Sequence, residues 1–166
     1  MLPKEVTQFI GQVRGKSIFV VQEEAIRRFA DAVDDLNPLF WDEEYAKKSK
    51  YGAIIAPPGF ISSPWYSSRP TKWGKKVVAS GGGMAELRPA LEKAGFKNPG
   101  AVDAGIEYDF FFPVKAGDVI TAVAITKDII EREGKTGKMA FVVTETTYTN
   151  QKGEVVAKAR GTVIQR

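Results

Sequence analysis

Residues 119–130 read VITAVAITKDII, a run composed almost entirely of residues that favour β-strands. Three further runs are similarly rich in strand formers or alternate apolar with polar residues, at 106–112, 139–149 and 155–164. The segments that separate them, residues 115–118, 133–137 and 150–153, each place glycine where a tight reversal needs it. The sequence therefore predicts four strands joined as an antiparallel meander.

The first part of the chain predicts one short strand and two helices. Residues 17–21 read as a strand, and apolar residues then recur at helical spacing, at positions 21, 25, 26, 29 and 33. A second helix is predicted to begin near Pro58, because proline lacks the N–H that a first helical turn leaves unpaired, and Pro64 would end or kink it. This element order is typical of an α+β fold with the helix on one face of the sheet.

Residues 67–100 lack a clear periodicity, and breakers such as Gly82, Gly83 and Pro89 interrupt them. They predict an irregular insertion with one short helix between Met84 and Ala94. A long stretch of this kind in a compact domain is often a lid or a binding loop. The chain has 166 residues, the size of one ordinary domain, and we expect residues 1–166 to form a single domain.

The composition argues against several classes of function. The chain contains 43% hydrophobic and 27% charged residues, as globular proteins do, and it contains neither cysteine nor histidine. Disulfides, thiolate chemistry and a zinc site are therefore not expected. A net charge of +4 is too small to favour nucleic acid. Because neither a signal-peptide core nor a long apolar run is visible, we expect a cytoplasmic protein that binds neither nucleic acid nor membrane.

Three short motifs resemble one enzyme family. Residues 34–42 read DDLNPLFWD and resemble the signature G-D-x-N-P-[LI]-H-x-D of the MaoC-like dehydratases and (R)-specific enoyl-CoA hydratases, with Phe40 at the histidine position. Residues 112–118, FPVKAGD, are similar to the family's P-[VI]-x-x-G-D turn. Residues 56–60, APPGF, resemble the FAS1-like, or MaoC N-terminal-domain, branch.

This resemblance implies the hot-dog fold, in which a curved antiparallel sheet wraps around a central helix. It also implies a role. Members of the FAS1-like branch are non-catalytic halves of double hot-dog enzymes or separate partner subunits.

The resemblance further implies which residues would act on an enoyl thioester. Hydration needs a base, an acid and donors that polarise the thioester carbonyl, and in the family an Asp and a His hold the water. Asp35 and Asn37 match the family's aspartate and asparagine, whereas Phe40 cannot exchange a proton. Losing one such group typically costs about 10²- to 10⁴-fold in rate. The alternative for Asp35 is a turn residue that bonds nearby backbone, as Asp commonly does.

The backbone amides of Gly59 and Phe60 correspond to the family's carbonyl donors, at a helix start where unpaired N–H groups favour a developing negative charge. The alternative is a helix end capped by water. Because this geometry does not depend on the missing histidine, thioester binding is favoured over turnover.

A basic and aromatic cluster spans residues 65–76, where the irregular insertion begins, and consists of Arg69, Lys72, Lys75, Lys76, Trp65, Tyr66 and Trp73. Such a cluster suits the adenine and phosphates of coenzyme A, or the acidic surface of an acyl carrier protein. A solvated loop is the alternative. We expect no metal, and no cofactor other than the CoA or carrier protein that the substrate brings.

Three functions are open at this point. The first is a non-catalytic subunit of an enoyl-CoA hydratase or 3-hydroxyacyl-thioester dehydratase, in a heterodimer with a catalytic MaoC-like subunit. The second is a self-sufficient homodimeric hydratase that uses Asp35 with Tyr66 or Glu44. The third is an acyl-thioester-binding protein without activity. A monomer is not expected, because residues 110–112 place phenylalanine on both faces of one strand.

Overall fold

The computed structural model describes residues 2–63, 82–96, 101–134 and 137–166, without the side chains of residues 82–86. Within these ranges the helices are α1 (Lys4–Thr7), α2 (Glu23–Ala32), α3 (Glu43–Lys48) and α4 (Gly82–Lys93). The strands are β1 (Val13–Val20), β2 (Ala101–Phe110), β3 (Val119–Gly134), β4 (Gly137–Thr149) and β5 (Val155–Gln165). Single 3₁₀ turns lie at Pro38–Phe40 and Phe60–Ser62.

The strands form one antiparallel sheet in the order β1-β3-β4-β5-β2. The predicted meander is confirmed for β3, β4 and β5 and is wrong for β2, which pairs with β5 at the far edge. The segment between β2 and β3 does not close a hairpin, because it bonds earlier parts of the chain. Ala56 N–H donates to the Val114 carbonyl at 2.8 Å, and Gly117 N–H donates to the Val21 carbonyl at 2.8 Å. The chain therefore crosses the sheet and enters β3 beside β1.

The predicted turns are present where the structure describes them. Lys115 N–H donates to Asp118 Oδ2 at 2.8 Å, and Gly117 has a φ of +89°. Between β4 and β5, Asn150 Oδ1 accepts from the amides of Lys152 and Glu154, each at 3.0 Å. Gly134 pairs with Gly137 across the connection from β3 to β4, whose residues 135 and 136 lie outside the described ranges.

The amphipathic helix predicted from the spacing at positions 21–33 is confirmed as α2, with ends at Glu23 and Ala32. Its Ala25, Ile26 and Ala30 are buried in the first core cluster. The sheet contributes residues from four strands to this cluster: Phe19, Ile120, Ala122, Tyr148, Val156, Ala157 and Ala159. The register places all of these except Val156 on one face of the sheet, so α2 packs across that face.

A second core cluster lies farther along the same face, where α4 and α1 cover the sheet. Its buried members are Val6, Leu87, Leu91, Phe96, Ile129, Ala140 and Val142. The short helix expected within residues 84–94 is confirmed as α4, which begins at Gly82, so that Gly82, Gly83 and Pro89 all lie within it. Burial of the α4 leucines stabilises the helix against the penalty of its internal proline. A bulge in β3 between Thr126 and Asp128 separates the residues that β3 gives to the two clusters.

The helix predicted to begin near Pro58 is, in the described residues, only the 3₁₀ turn Phe60–Ser62. Gly59 has a φ of +88°, and this left-handed conformation prevents a regular helix from running through it. Pro64 lies outside the described ranges. In the part of the chain that the structure describes, no helix is long and apolar enough to cross a bilayer.

Candidate functional site

A cavity of about 470 Å³ lies beside the DDLNPLFWD motif. Its wall is formed by Asn37, Leu39 and Phe40 of the motif, by residues 55–58 and by residues 110–114, with Tyr51 and Ile61 completing it. Among the described residues of this wall, only Asn37 and Tyr51 carry a polar side-chain group. The volume falls within the range of small-molecule sites, roughly 300–1,000 Å³. The cavity therefore suits an uncharged, apolar group.

The motif is positioned by the end of α2. Asp34 has a φ of +54°, a left-handed conformation that aspartate tolerates better than most residues. The next amide, that of Asp35, donates to the Ala30 carbonyl at 2.9 Å. The chain thereby leaves the helix and turns towards the cavity.

The polar residues of the motif bond backbone groups. Asp35 Oδ1 accepts from the Asn37 amide at 3.1 Å, and Asn37 Oδ1 accepts from the Leu39 amide at 3.1 Å, which caps the 3₁₀ turn. Asp42 Oδ1 accepts from the Tyr45 amide at 3.0 Å and caps α3. Asp35 therefore performs the turn role, and unlike Asn37 it is not among the cavity-lining residues. Its catalytic role stays a prediction.

Phe40 is the motif residue most deeply enclosed. Its side chain is 4% exposed and belongs to the first core cluster, and it also forms part of the cavity wall. The position at which the resembling family carries histidine is thus occupied by an apolar ring. Glu44, the suggested second donor, lies on α3 and has an exposed side chain. Its Oε1 is 3.6 Å from Lys47 Nζ.

The segment that follows the proline pair holds the two predicted carbonyl donors. Phe60 N–H donates to the Pro57 carbonyl at 3.1 Å, while its ring meets Phe29 edge-on at 5.8 Å between centroids. The Gly59 amide has no acceptor among the described residues. Gly59 lies between Pro58 and Ile61, both of which line the cavity. Of the two amides, only that of Gly59 lacks an acceptor among the described residues, although Gly59 itself is not a cavity-lining residue, and its role as a carbonyl donor stays a prediction.

Residues 110–112 were expected to place phenylalanine on both faces of one strand, but β2 ends at Phe110, so Phe111 and Phe112 follow the strand. Phe110, Phe111 and Phe112 all line the cavity while remaining 50–53% exposed. Tyr108 stacks on Phe110 with centroids 5.3 Å apart, and its hydroxyl is hydrogen-bonded to Ser62. The signal in the sequence was the run of three phenylalanines that ends directly before Pro113.

The remaining predicted site residues lie outside the described ranges. These are the basic residues Arg69, Lys72, Lys75 and Lys76, with the aromatic residues Trp65, Tyr66 and Trp73. In the part that is described, no group of three or more acidic residues is arranged to hold a metal ion.

Solved structures identify the fold. The ChsH1-ChsH2 complex from Mycobacterium tuberculosis matches with a TM-score of 0.78 over 98% of this chain and 89% of that chain, at 18% identity. The truncated HadBC (3R-hydroxyacyl-ACP dehydratase) complex from the same organism matches with a TM-score of 0.65 and 28% identity, over 96% of this chain and 98% of that chain. The antiparallel sheet and the helices packed on it are thus the hot-dog fold.

The family follows from the sequence comparison. The FAS1-like dehydratase domain region matches residues 8–159, so this chain belongs to that family of MaoC-like hot-dog proteins. A probable enoyl-CoA hydratase alpha subunit from Thermomonospora curvata is 29% identical over 141 residues, which are 84% of this chain and 43% of that protein. This chain therefore spans less than half of that relative.

Proposed function

We propose that this chain is the non-catalytic subunit of a MaoC-like enoyl-thioester hydratase or dehydratase, and that a partner subunit supplies the Asp–His pair. The observation that carries the proposal is the burial of Phe40 at the cavity wall, where proton transfer would need an imidazole. None of the wall residues that the structure describes carries a carboxylate or an amine. The solved HadBC and ChsH1-ChsH2 structures, which are complexes, support a heteromer.

The cavity would hold the acyl part of the thioester. Each methylene removed from water contributes about 0.8 kcal/mol, so a wall of proline, isoleucine and phenylalanine favours an aliphatic chain over a charged one. The Gly59 amide, placed between two wall residues, would donate to the thioester carbonyl. Binding and positioning thus need only groups that this chain provides, whereas proton transfer needs the partner.

The direct test is hydration of a short 2-enoyl-CoA by the purified chain, alone and after co-expression with the catalytic subunit. The isolated chain should work at well under a hundredth of the rate of a complete site, because one acid–base group is missing. Fast turnover by the verified, isolated protein would overturn the proposal.

Phe40→His, with Phe40→Leu as its apolar control, separates the alternatives. If Asp35 and the Gly59 amide are still placed for catalysis, the histidine variant gains activity over the leucine variant, and the site of this chain lacks only the histidine. A folded histidine variant without gain favours the non-catalytic subunit, and this is the result we expect because Asp35 bonds the Asn37 amide.

Recognition of the thioester carrier is proposed for the basic insertion. If Arg69, Lys72, Lys75 and Lys76 hold the phosphates of CoA, CoA thioesters should quench tryptophan fluorescence, and the affinity should fall as salt is added. Lys75→Ala/Lys76→Ala should weaken binding further. Unchanged affinity in this double variant would assign the insertion to the solvated surface.

A further inference from the structure

We propose that the carboxylates on β2 select, as the partner at this sheet edge, a subunit whose facing strand carries Lys or Arg rather than a second copy of this chain. This inference rests on the proposed function only in taking the partner to be another hot-dog subunit. The chemistry of the partner follows from the side chains on β2.

The β2 edge is open. It is the last strand of the sheet and pairs with β5 on one side only. Nine of its ten residues are exposed. A bulge between Asp103 and Gly105 disrupts its first part, which leaves the regular segment from Ile106 to Phe110. An unpaired strand edge of this kind is a template for a further strand.

The core-side face of this segment is apolar. Ile106 and Phe110 are each 50% exposed, and Phe111 and Phe112 continue the apolar surface at 53% and 51%. A surface of this kind, contiguous with a strand edge, indicates a protein interface. This face supplies apolar contacts to the partner, but apolar contacts do not discriminate between a second copy of this chain and a different subunit.

The opposite face of the same segment is acidic at its rim. Glu107 and Asp109 both point to Arg160 of β5, which also pairs with Glu145 of β4 at 3.3 Å. One guanidinium is therefore shared by three carboxylates. The Glu107 side chain is 80% exposed and that of Asp109 is 48% exposed, whereas Arg160 and Lys158 lie one strand farther in. The outermost row thus consists of carboxylates.

Pairing two copies would bring these carboxylates together. Residues directly opposite each other in an antiparallel pair share a face, so a two-fold pairing centred on Tyr108 sets Glu107 against Asp109 twice. Centring on Glu107 or on Asp109 sets that residue against its own copy. Like charges in opposite positions are destabilising, and opposite charges there are stabilising. A strand with basic residues at these positions therefore fits, and a second acidic strand does not.

The charge preference of the β2 edge can be tested with variants of this chain alone. Glu107→Lys/Asp109→Lys gives it a basic edge, and Glu107→Gln/Asp109→Asn gives a neutral edge that still accepts hydrogen bonds from Arg160. Wild type, each variant and equimolar mixtures are compared by sedimentation velocity and native mass spectrometry at low and high salt. Glu24→Gln/Glu92→Gln, two exposed helix positions, is the control with the same change of charge.

The neutral-edge variant should self-associate at least about threefold more tightly than wild type, and the control should not. The mixture of wild type with the lysine variant should form mixed dimers in excess over either homodimer, and added salt should dissociate them. A wild-type homodimer as tight as that of the neutral variant would overturn the inference. The absence of mixed dimers between wild type and a folded lysine variant would also overturn it. If the lysine variant does not fold, the self-association of the neutral-edge variant tests the inference alone. Neither readout involves a thioester, so a negative result here is separate from failure of the hydratase proposal.

Discussion

Two segments that match the family pattern border the same cavity, and they match it differently. Residues 113–118 agree with every specified position of the P-[VI]-x-x-G-D turn, and its Gly117 and Asp118 hold the backbone. Asp118 Oδ2 accepts from the Lys115 amide, and the left-handed Gly117 donates to the Val21 carbonyl. Residues 34–42 keep Asp35, Asn37 and Asp42, which bond backbone amides, but carry Phe40 in place of histidine.

The difference between the segments separates two kinds of motif residue. Residues that hold the backbone are present in both segments, and the one that would transfer a proton is replaced by a core side chain. A match to the motif therefore predicts the shape of the cavity wall, and it does not by itself predict catalysis. Substitutions in the two segments test this distinction.

The largest effect is expected from Phe40→Ala. Its ring is 4% exposed, so removing it should lower the free energy of unfolding by about 3–5 kcal/mol. Phe112→Ala is the matched control, since it lines the same cavity at 51% exposure and should change stability by only about 0.5 kcal/mol. Urea denaturation measures both. Equal losses would show that Phe40 is not the structural residue of its segment.

The core beneath both segments should respond to alkaline pH. Burial, together with nearby Tyr108, raises the pKa of Tyr148 from 10.0 to about 12, and this side chain shares a cluster with Phe40 and Val114. Below pH 10 the phenol is neutral in the folded and the unfolded chain. Between about pH 10 and 12 the unfolded chain ionises first, so about 2–3 kcal/mol of stability should be lost as pH rises. Tyr148→Phe should remove this part of the pH dependence in denaturation curves; a profile identical to wild type would contradict it.

In the turn, Gly117→Ala should cost about 1–2 kcal/mol, because a side chain disfavours its φ of +89°. No atom lies within 4 Å of the added Cβ, so the cost is conformational. Gly161→Ala, which also has open space and no positive φ, should stay within about 0.5 kcal/mol of wild type. Thermal unfolding of the pair measures the difference, and similar values for the two would remove the proposed role of the turn glycine.

The smallest effect is expected at the cap of the motif. Asn37→Ala removes the acceptor of the Leu39 amide and should cost about 1 kcal/mol, while Asn37→Asp keeps the cap and most of the stability. Denaturation with ligand absent isolates this structural role. A stable alanine variant that loses only thioester affinity would show that Asn37 acts on the bound ligand and not as a cap.

Local sequence patterns predicted the elements more fully than their arrangement. The spacing of Ala25, Ile26 and Phe29 gave α2, and turn residues such as Asn150 and Gly117 placed the reversals. The pairing of β2 with β5 was missed because periodicity identifies a strand without its neighbour. The short helix was predicted within residues 84–94, but its start at Gly82 was not, because the stabilisation of α4 comes from tertiary burial of Leu87 and Leu91.

The site was predictable to a similar extent. Asp35 and Asn37 are turn formers by type, and the sequence alone raised that alternative for Asp35. The run from Phe110 to Phe112 indicated an apolar surface, but its place in the cavity wall was not predictable, because that place requires residues 55–58 to lie opposite. That proximity depends on long-range backbone bonds such as Ala56 to Val114.

The bulge in β3 between Thr126 and Asp128 has a consequence for dynamics. It falls between the two core clusters, and the described cavity wall shares residues only with the first, including Phe40 and Val114. Transient opening of α4 would expose Ile129 and Val142 while leaving the packing under α2 in place. We therefore expect the α4 end of the molecule to be a separate unit of local stability, whose amides exchange with solvent while the cavity keeps its shape.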